Sequence, residues 1–416
     1  MKPRVHWVSP LPPARTDIAH YTARIAAALA EETDLILWTD APDWDPALQK
    51  ICPVAQLDPE RVLPRDFAAI RPGHRGPEAI FIQMGNSWVF HTGLLRLARR
   101  IPAIVVLHDL AIQEMLLDAI NHNVFDPETY RGAMAQWYGH DGEAAAKDLL
   151  AGRIPASELG RKMPGFEIWL DKAIATLTHT AVAQSAAEAR GHVPNFLHEL
   201  PFQPAATPPN PARAMQGPLR LAQFGHIGRN RRLEEILEVL SSLKERLNFR
   251  FDLMGRLWDQ DYIEGRIAKL GLNEHVHMHG FVAEAALDAR LRQAHLVFNL
   301  RHPTMGEASG SQLRIWNAAA AAVVTDQGWY RDVPDDTVFK IQVNGEADAL
   351  RDLLLKIDQD RALSPLVGQA GWAQLNARHT PERYAETIAE IARNAPLLTQ
   401  RALLASSRAR VSSSVL

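Results

Sequence analysis

The order of apolar segments along the chain is the feature that most limits its possible folds. Short β-rich runs alternate with longer segments that carry apolar residues at helical spacing, and this order occurs both before and after a proline-rich stretch at residues 203–218. Strands that alternate with helices form parallel sheets with helices on both faces. The sequence therefore predicts an α/β protein with two doubly wound, Rossmann-like domains that face a cleft.

The predicted strands are short, and most are apolar throughout. In the first half they are residues 5–9, 34–39, 79–84, 103–107 and 175–184, the last followed by a helix cap at Ser185. In the second half they are residues 219–224, 249–254, 275–279, 296–300, 321–325 and 338–343. Open α/β sheets bind ligands at the carboxyl ends of their strands. The loops that follow these runs are therefore the places where a site is expected.

Composition excludes several classes of protein. The 45 Lys and Arg residues nearly balance the 48 Asp and Glu residues, so no basic field indicates a nucleic-acid partner. Cys52 is the only cysteine, which excludes an internal disulfide and makes a thiolate metal site improbable. The first residues do not have the pattern of a secretory signal, and no apolar run reaches about 18 residues. These observations predict a cytoplasmic protein.

The loop after the predicted strand at 296–300 has the composition of an anion site. It contains Pro303, Gly306, Glu307 and Gly310, and a helix is predicted to begin near Ser309 or Ser311. A helix N-terminus directs backbone N–H groups and a positive dipole end toward an anion. The loop is therefore predicted to bind phosphate and hydroxyl groups.

A second glycine-bearing turn follows the predicted strand at 219–224. Gly225 and Gly228 allow the backbone to come close to a ligand, and Arg229, Arg231 and Arg232 follow at the start of a helix. Cations are unfavourable at a helix N-terminus. An anion bound nearby accounts for their position, and the alternative is that the arginines are simply solvated.

On these two turns the chain resembles the retaining glycosyltransferases of family 4, which have the GT-B fold. The 303–312 loop is similar to that family's donor loop, and Arg231 stands six residues after Gly225, where the family has a Lys. The resemblance implies a nucleotide-diphospho-sugar donor. It also implies donor contacts from the two turns, which are Gly225, His226, Arg229, Arg231, Glu307, Gly310, Ser311 and Gln312.

The resemblance assigns roles to further residues. Gly280, Phe281 and Val282 correspond to the segment that contacts the nucleotide base. His108, after the strand at 103–107, corresponds to a histidine that faces the donor sugar, although a histidine in this position is often only a hydrogen-bonded core residue. Asp17 and Asn86 are predicted on the acceptor side, and the alternative for Asp17 is a helix N-cap. Arg231, Glu307 and His108 are the predicted catalytic residues.

The predicted domains follow from the same pattern. Residues 1–202 form the acceptor domain with a helical insertion at about 113–174, and residues 203–218 are a linker. Residues 219–380 form the donor-binding domain, residues 381–400 a helix that crosses back to the first domain, and residues 401–416 a disordered tail. The aromatic residues of the insertion either line an acceptor pocket or belong to the core; they are Tyr130, Trp137, Tyr138 and Trp169.

Two other candidate sites are weaker. His275, His277 and His279 alternate on one face of a strand and suggest zinc, but no fourth ligand is evident, so no metal or other cofactor is expected. The basic segment 94–101, LLRLARRI, could contact anionic lipid as a peripheral membrane element or form a solvated helix face.

The predicted function is metal-independent transfer of a sugar, of the hexosyltransferase type, to a glycan or lipid-linked acceptor in cell-surface polysaccharide synthesis. Three positions depart from the family pattern: Ile315 replaces a second Glu, and Ala319 and Ala321 stand where Gly and Pro are common. Together with Asp17, they leave open a non-catalytic GT-B protein that binds a nucleotide-sugar or glycan, or that scaffolds a partner transferase. A dehydrogenase is disfavoured because the first strand is not followed by a GxGxxG turn.

Overall fold

The computed structural model describes residues 1–191, 193–205, 209 and 213–413, with the side chains of 405–413 excepted. The chain divides into two compact units. The first contains residues 1–203, 305–308 and 381–416, and the second contains residues 204–304 and 309–380. The predicted linker lies partly outside the described residues, which omit 206–208 and 210–212.

The first unit is built on a seven-stranded parallel sheet. Its strands lie in the order β3-β2-β1-β4-β5-β6-β7. The bounds are β1 Arg4–Val8, β2 Asp34–Thr39, β3 Val54–Gln56, β4 Glu78–Met84, β5 Ala103–Leu107, β6 Ala173–Thr178 and β7 Asn195–Leu197. The strand order reverses between β1 and β4, so the carboxyl ends of these central strands form the crevice that is typical of doubly wound sheets.

The helices of the first unit cover both faces of this sheet. They are α1 Asp17–Glu32, α2 Pro64–Ala69, α3 Trp88–Ala98, α4 Gln113–Asn121, α5 Pro127–Leu150, α6 Ala156–Lys162 and α7 Ala181–Glu188, together with α15 Pro381–Arg393 and α16 Ala395–Ser413 from the end of the chain. Side chains of β1 alternate between two buried clusters, with Val8 in one and Trp7 in the other. Helix α15 packs in the second cluster, where the Tyr21 hydroxyl donates to the Tyr384 hydroxyl over 2.6 Å.

The second unit has a six-stranded parallel sheet in the order β10-β9-β8-β11-β12-β13. Its strands are β8 Leu219–Ile227, β9 Phe249–Leu257, β10 Val276–Met278, β11 Leu296–Phe298, β12 Ala322–Thr325 and β13 Phe339–Ile341. Its helices are α8 Leu233–Leu243, α9 Gln260–Lys269, α10 Glu284–Gln293, α11 Gly310–Asn317, α12 Trp329–Asp332, α13 Glu346–Gln359 and α14 Leu363–Arg378. Two parallel sheets with helices between their strands confirm the predicted fold class.

The structure differs from the sequence prediction at several elements. The predicted strand at 175–184 ends at Thr178, and α7 begins at Ala181 because the Thr180 hydroxyl, rather than Ser185, caps it by accepting from the Ala183 amide. Residues 401–413 continue helix α16 instead of forming a disordered tail, and 414–416 lie outside the described residues. The sequence analysis did not predict the edge strands β3 and β7, which are three residues long, include a polar residue and are nowhere fully buried.

The segment 94–101 has no apolar side available for lipid. Its apolar side chains Leu94, Leu95, Leu97, Ala98 and Ile101 are buried in the core of the first unit. The apolar side chains are therefore not available for lipid, and contact of the basic residues with anionic lipid stays a prediction. In the described part of the chain, no helix is long and apolar enough to cross a membrane.

Near the carboxyl end of β9, the backbone leaves no room for a side chain at Gly255. Gly255 has φ +122°, and a Cβ atom added there would lie 2.1 Å from the Gly225 carbonyl oxygen. That oxygen belongs to the backbone of a central strand and cannot rotate away. Both a positive φ and the absence of a side chain are therefore required at Gly255.

We expect Gly255→Ala to destabilise the second unit by about 3 kcal/mol, because backbone strain and a backbone clash act together. Gly265→Ala is the matched control, since Gly265 lies in α9 and a Cβ there meets nothing within 4 Å. The control should be neutral or stabilising by up to about 1 kcal/mol. Urea unfolding of both variants measures this, and equal stabilities would show that the two strands can separate without cost.

Candidate functional site

The carboxyl edge of the second unit's sheet brings together the two glycine-bearing turns predicted from the sequence. The Ser309 side chain caps α11 by accepting from the Gln312 amide over 3.2 Å. The helix therefore begins at Gly310, and its first backbone amides have no partner within the helix. A Cβ atom at Gly225, on the other turn, would be 4.0 Å from the Ser311 hydroxyl. The sequence prediction of two adjacent turns agrees with this geometry.

A buried polar network holds these turns together. The side chain of Asn299, which follows β11, accepts from the Arg231 guanidinium over 3.0 Å and donates to the Gln312 side-chain oxygen over 2.9 Å. Gln223, in β8, donates to the Arg231 backbone carbonyl over 2.8 Å. Asn299, Gln223 and Gln312 are fully buried, and Arg231 is 5 % exposed. The network therefore fixes the position of the α11 N-terminus relative to the turn after β8.

The three arginines of this turn have different environments. Arg231 is buried in the network. Arg232 pairs with Glu346 at 3.0 Å and with Glu235 at 2.7 Å, so its charge is balanced within the unit. Arg229 is exposed, and its guanidinium carbon lies 4.0 Å from the centre of the Trp258 ring. Arg229 is therefore the arginine of this turn best placed to meet a ligand from solvent.

The segment predicted to contact a nucleotide base lies beside the same strands. The Gly280 carbonyl accepts from the Gly255 amide over 2.6 Å, and Gly255 in turn contacts Gly225. Phe281 is 92 % exposed and Val282 is half-buried. An almost fully exposed phenylalanine next to a glycine-rich sheet edge offers a flat apolar surface for a ring.

In the first unit, His108 follows β5 and lies in a cluster of aromatic rings. Its Nε2 is 2.9 Å from the Gln83 side-chain oxygen, and its ring centre is 4.8 Å from that of Tyr21 and 5.1 Å from that of His179. Burial, followed by the nearby His179 and His91, lowers the pKa of His108 well below its usual value. The imidazole is therefore neutral at pH 7. With the Gln83 oxygen as acceptor, Nε2 carries the proton and Nδ1 keeps its lone pair.

Asn86 and Asp17 are the other predicted residues of the first unit. The Asn86 side-chain oxygen accepts from the Met115 amide over 3.3 Å, which ties the loop after β4 to α4. Asp17 is exposed and is the first residue of α1, and Thr16 occupies the N-cap position. The interpretation of Asp17 as an N-cap is therefore wrong by one position.

The segment 305–308 packs with the first unit. The Thr180 hydroxyl donates to the Gly306 carbonyl over 2.9 Å, and Gly306 has φ +82° where a Cβ atom would lie 2.8 Å from Leu110 Cδ1. Glu307 is half-buried, and its Oε2 accepts from the Met305 amide over 2.7 Å. One carboxylate oxygen thus shapes the loop backbone.

The residues that depart from the family pattern are part of the core. Ile315 is fully buried in α11, so its side chain cannot contact a ribose. Ala319 has φ +46°, a left-handed conformation that explains why a glycine would be favourable there. Ala321 is fully buried.

The aromatic residues of the insertion and the alternating histidines also make packing contacts. Tyr130 and Trp169 are fully buried, which fits the core interpretation of the insertion aromatics. His275 stacks on Phe249 with ring centres 4.6 Å apart, and His279 lies 2.6 Å from Asp252. His275 and His279 thus have separate contacts.

Sequence reasoning missed the residue at the centre of the network, Asn299. The signal was present, since Asn299 is the one polar residue in the apolar run 296–300. A polar side chain in a buried strand needs a hydrogen-bond partner. Which partner it finds depends on residues far away in sequence, and only the structure shows that they are Arg231 and Gln312.

Known structures share this architecture. Anabaena HepE in complex with UDP matches with a TM-score of 0.57 at 14 % identity, covering 94 % of this chain and 99 % of that chain. A sucrose-phosphate synthase from Thermosynechococcus elongatus matches with a TM-score of 0.60 at 13 % identity, covering 94 % and 99 %. A glycosyltransferase from Rickettsia africae matches with a TM-score of 0.62 at 11 % identity, covering 94 % and 98 %. The protein therefore has the GT-B fold.

A family model refines this assignment for the second unit. Residues 211–370 match the family described as "Glycosyl transferases group 1". No curated protein matches the chain. The matched range contains both glycine-bearing turns, the Asn299 network and the exposed Arg229.

Proposed function

We propose that the protein is a retaining, metal-independent glycosyltransferase that uses a nucleotide-diphospho-sugar donor. The observation that carries the proposal is the buried Asn299 network, which holds a capped helix N-terminus beside a glycine-bearing turn with an exposed arginine. The group 1 glycosyltransferase match over the same residues supports it. HepE, which has the same fold, is solved with UDP-glucose.

The donor diphosphate binds at the carboxyl edge of the second unit's sheet. The first amides of α11, at Gly310 and Ser311, donate to phosphate oxygens, and the helix dipole favours the negative charge. Arg229 supplies a guanidinium from the turn after β8. Together these groups stabilise the charge that develops on the leaving nucleoside diphosphate, the role that a metal ion has in other transferases.

The nucleotide base and the sugar have separate contacts. The base lies against the segment 280–282, where the exposed Phe281 ring offers a stacking surface. The Glu307 carboxylate accepts hydrogen bonds from sugar hydroxyls. The acceptor is a glycan or a lipid-linked glycan of the cell surface.

A non-catalytic donor-binding protein is the second candidate. It is favoured by Ile315, because burial of an apolar side chain at that position removes the carboxylate that the resemblance assigns to the ribose. Such a protein would bind nucleoside diphosphates at the same edge but would not turn them over. Binding and turnover therefore separate the two candidates.

The direct test is a donor screen with two measurements. Nucleotide-sugars that bind the native state raise the melting temperature, and each stabilising donor is then assayed for hydrolysis or transfer. We expect turnover that persists in EDTA, since arginine and helix amides neutralise the diphosphate. Loss of turnover in EDTA with recovery in Mn²⁺ would contradict metal independence. Binding without turnover of any donor would favour the non-catalytic candidate.

Arg229→Ala and Arg231→Ala should have separable effects. Arg229 is exposed, so its loss should weaken nucleoside diphosphate binding about 10- to 100-fold, the equivalent of roughly 1.5–3 kcal/mol for a charge-assisted contact. Stability should change by no more than about 1 kcal/mol, the value of an exposed cation–π contact. Arg231→Ala should in addition destabilise the fold by about 1–3 kcal/mol, because Asn299 loses a buried partner.

Calorimetric titration and thermal melts of both variants measure these effects. Free nucleoside serves as the control ligand, because it lacks phosphates and should bind both variants as it binds the parent protein. If Arg229→Ala weakens nucleoside and nucleoside diphosphate equally, the turn does not bind the diphosphate.

Glu307→Gln separates catalysis from loop structure. Glutamine keeps an oxygen that can accept from the Met305 amide, so the melting temperature should stay nearly unchanged. If the carboxylate positions the donor sugar, the rate of transfer should fall on the order of a hundredfold. Single-turnover kinetics beside a thermal melt measure both. Glu245→Gln, at an exposed position, is the control. A Glu307→Gln variant that melts early and turns over normally would make Glu307 a purely structural residue.

A further inference from the structure

The second unit has a cavity of about 280 Å³ at the opposite end of β8 and β9 from the proposed donor edge. It is lined by Arg220, Leu221, Ala222, Arg250, Asp252, Arg290, Gln293 and Ala294. Arg220 lies near the start of β8, six residues before His226 at its end. At about 3.3 Å per residue, the two ends are roughly 20 Å apart. Along β8 the cavity is therefore distant from the donor edge, although its residue Asp252 contacts His279, which directly precedes Gly280.

We propose that this cavity binds the phosphate group of a small anionic ligand, either free inorganic phosphate or a phosphate monoester of a small sugar. The proposal does not depend on the proposed function, since none of the cavity residues belongs to the donor edge. Three guanidinium groups face one carboxylate in the lining, which leaves an excess of two positive charges. Guanidinium groups match phosphate oxygens in both charge and hydrogen-bond geometry.

The single carboxylate is already neutralised by neighbours. Asp252 is 9 % exposed, and its Oδ1 lies 3.1 Å from Arg250 Nη2 and 2.6 Å from His279 Nε2. Burial alone would raise the pKa of Asp252, but hydrogen bonds from Arg250 and His279 outweigh it and lower the pKa. Asp252 therefore acts as a fixed anion that orients Arg250.

The other two guanidinium groups have no comparably close acidic partner. Arg290 Nη1 is 3.8 Å from the Asp252 carboxylate, and the Arg290 side chain is 37 % exposed. Arg220 donates to the Gln293 side-chain oxygen, a neutral acceptor, and within the described residues it forms no ion pair. Both charges are therefore available to a ligand anion.

Two histidines near the cavity, His277 and His295, also experience the positive charge of nearby arginines. Burial and then the nearby Arg250 lower the pKa of His277, in the strand beside β9. Burial lowers the pKa of His295 as well, although its hydrogen bond to Ala214 opposes the shift, and Arg361, Arg213 and Arg220 lower it further. The arginines that lower the pKa of His277 and of His295 also favour an anion in the cavity.

The size of the cavity limits the ligand. Sites for drug-sized molecules span about 300–1,000 Å³, so a cavity of 280 Å³ lies just below that range. Its lining is polar and contains no aromatic ring, so a nucleotide base has no surface to stack on. A phosphate group with at most a small polar substituent is the ligand that fits the charge, the polarity and the volume.

The test is calorimetric titration of the full chain with inorganic phosphate and, separately, with glucose 6-phosphate. The variant Arg220→Gln/Arg290→Gln removes two charges but keeps the Arg250–Asp252–His279 contacts. We expect its affinity for the bound probe to be at least about tenfold weaker than that of the parent protein. Arg292→Gln is the matched control, because Arg292 is also in α10 but does not line the cavity. Its affinity should be unchanged.

The outcomes separate the two sources of phosphate. Equal binding of both probes, or binding of inorganic phosphate alone, supports free phosphate as the ligand, and tighter binding of glucose 6-phosphate supports a monoester. No binding of either probe at about 10 mM, or equal affinity of the double variant and the parent protein, overturns the proposal. If the double variant does not fold, Arg290→Gln alone should still weaken binding severalfold, because its side chain is partly exposed. Unchanged binding in that single variant would also overturn it.

Discussion

The hydrogen bonds of Asn299 are the interactions on which the candidate site depends. Its side chain lies between the Arg231 guanidinium and the Gln312 side chain, and all three are buried. Because a buried amide that loses a partner costs about 1–3 kcal/mol, each bond reinforces the position of the other two groups. The capped start of α11 and the turn after β8 are thereby fixed relative to each other before any ligand binds. Such preorganisation is what makes backbone amides effective at stabilising developing charge.

Close backbone approach sets the shape of the same edge. A Cβ atom at Gly255 would clash with the Gly225 carbonyl oxygen of the neighbouring strand, and the Gly255 amide also bonds the Gly280 carbonyl. The residues that follow β8, β9 and β10 therefore lie at the same edge of the sheet. The two ends of this sheet then have different characters. One end offers helix amides and the exposed Arg229, and the other offers a small cavity with three arginines around a neutralised aspartate.

The polar groups around His108 in the first unit are uncharged. His108 is kept neutral by burial, and the Tyr21 and Tyr384 hydroxyls, whose pKa values burial raises, bond to each other. A cluster of neutral donors and acceptors suits hydroxyl-bearing ligands better than anions.

Much of the fold could be predicted from sequence because it depends on local periodicity. Most central strands were located to within a few residues, with the exception of the end of β6, and the turns at 225–232 and 303–312 were recognised by their glycines and charges. Edge strands β3 and β7, the cap at Thr180 and the extent of α16 were missed, since they depend on few residues or on contacts distant in sequence. The sequence by itself determined two parallel sheets and which turns carry charge. Only the tertiary structure decided that Arg231 is buried, that Arg229 is exposed, and that Arg220, Arg250 and Arg290 line one cavity, because burial and charge pairing depend on neighbours that no local pattern specifies.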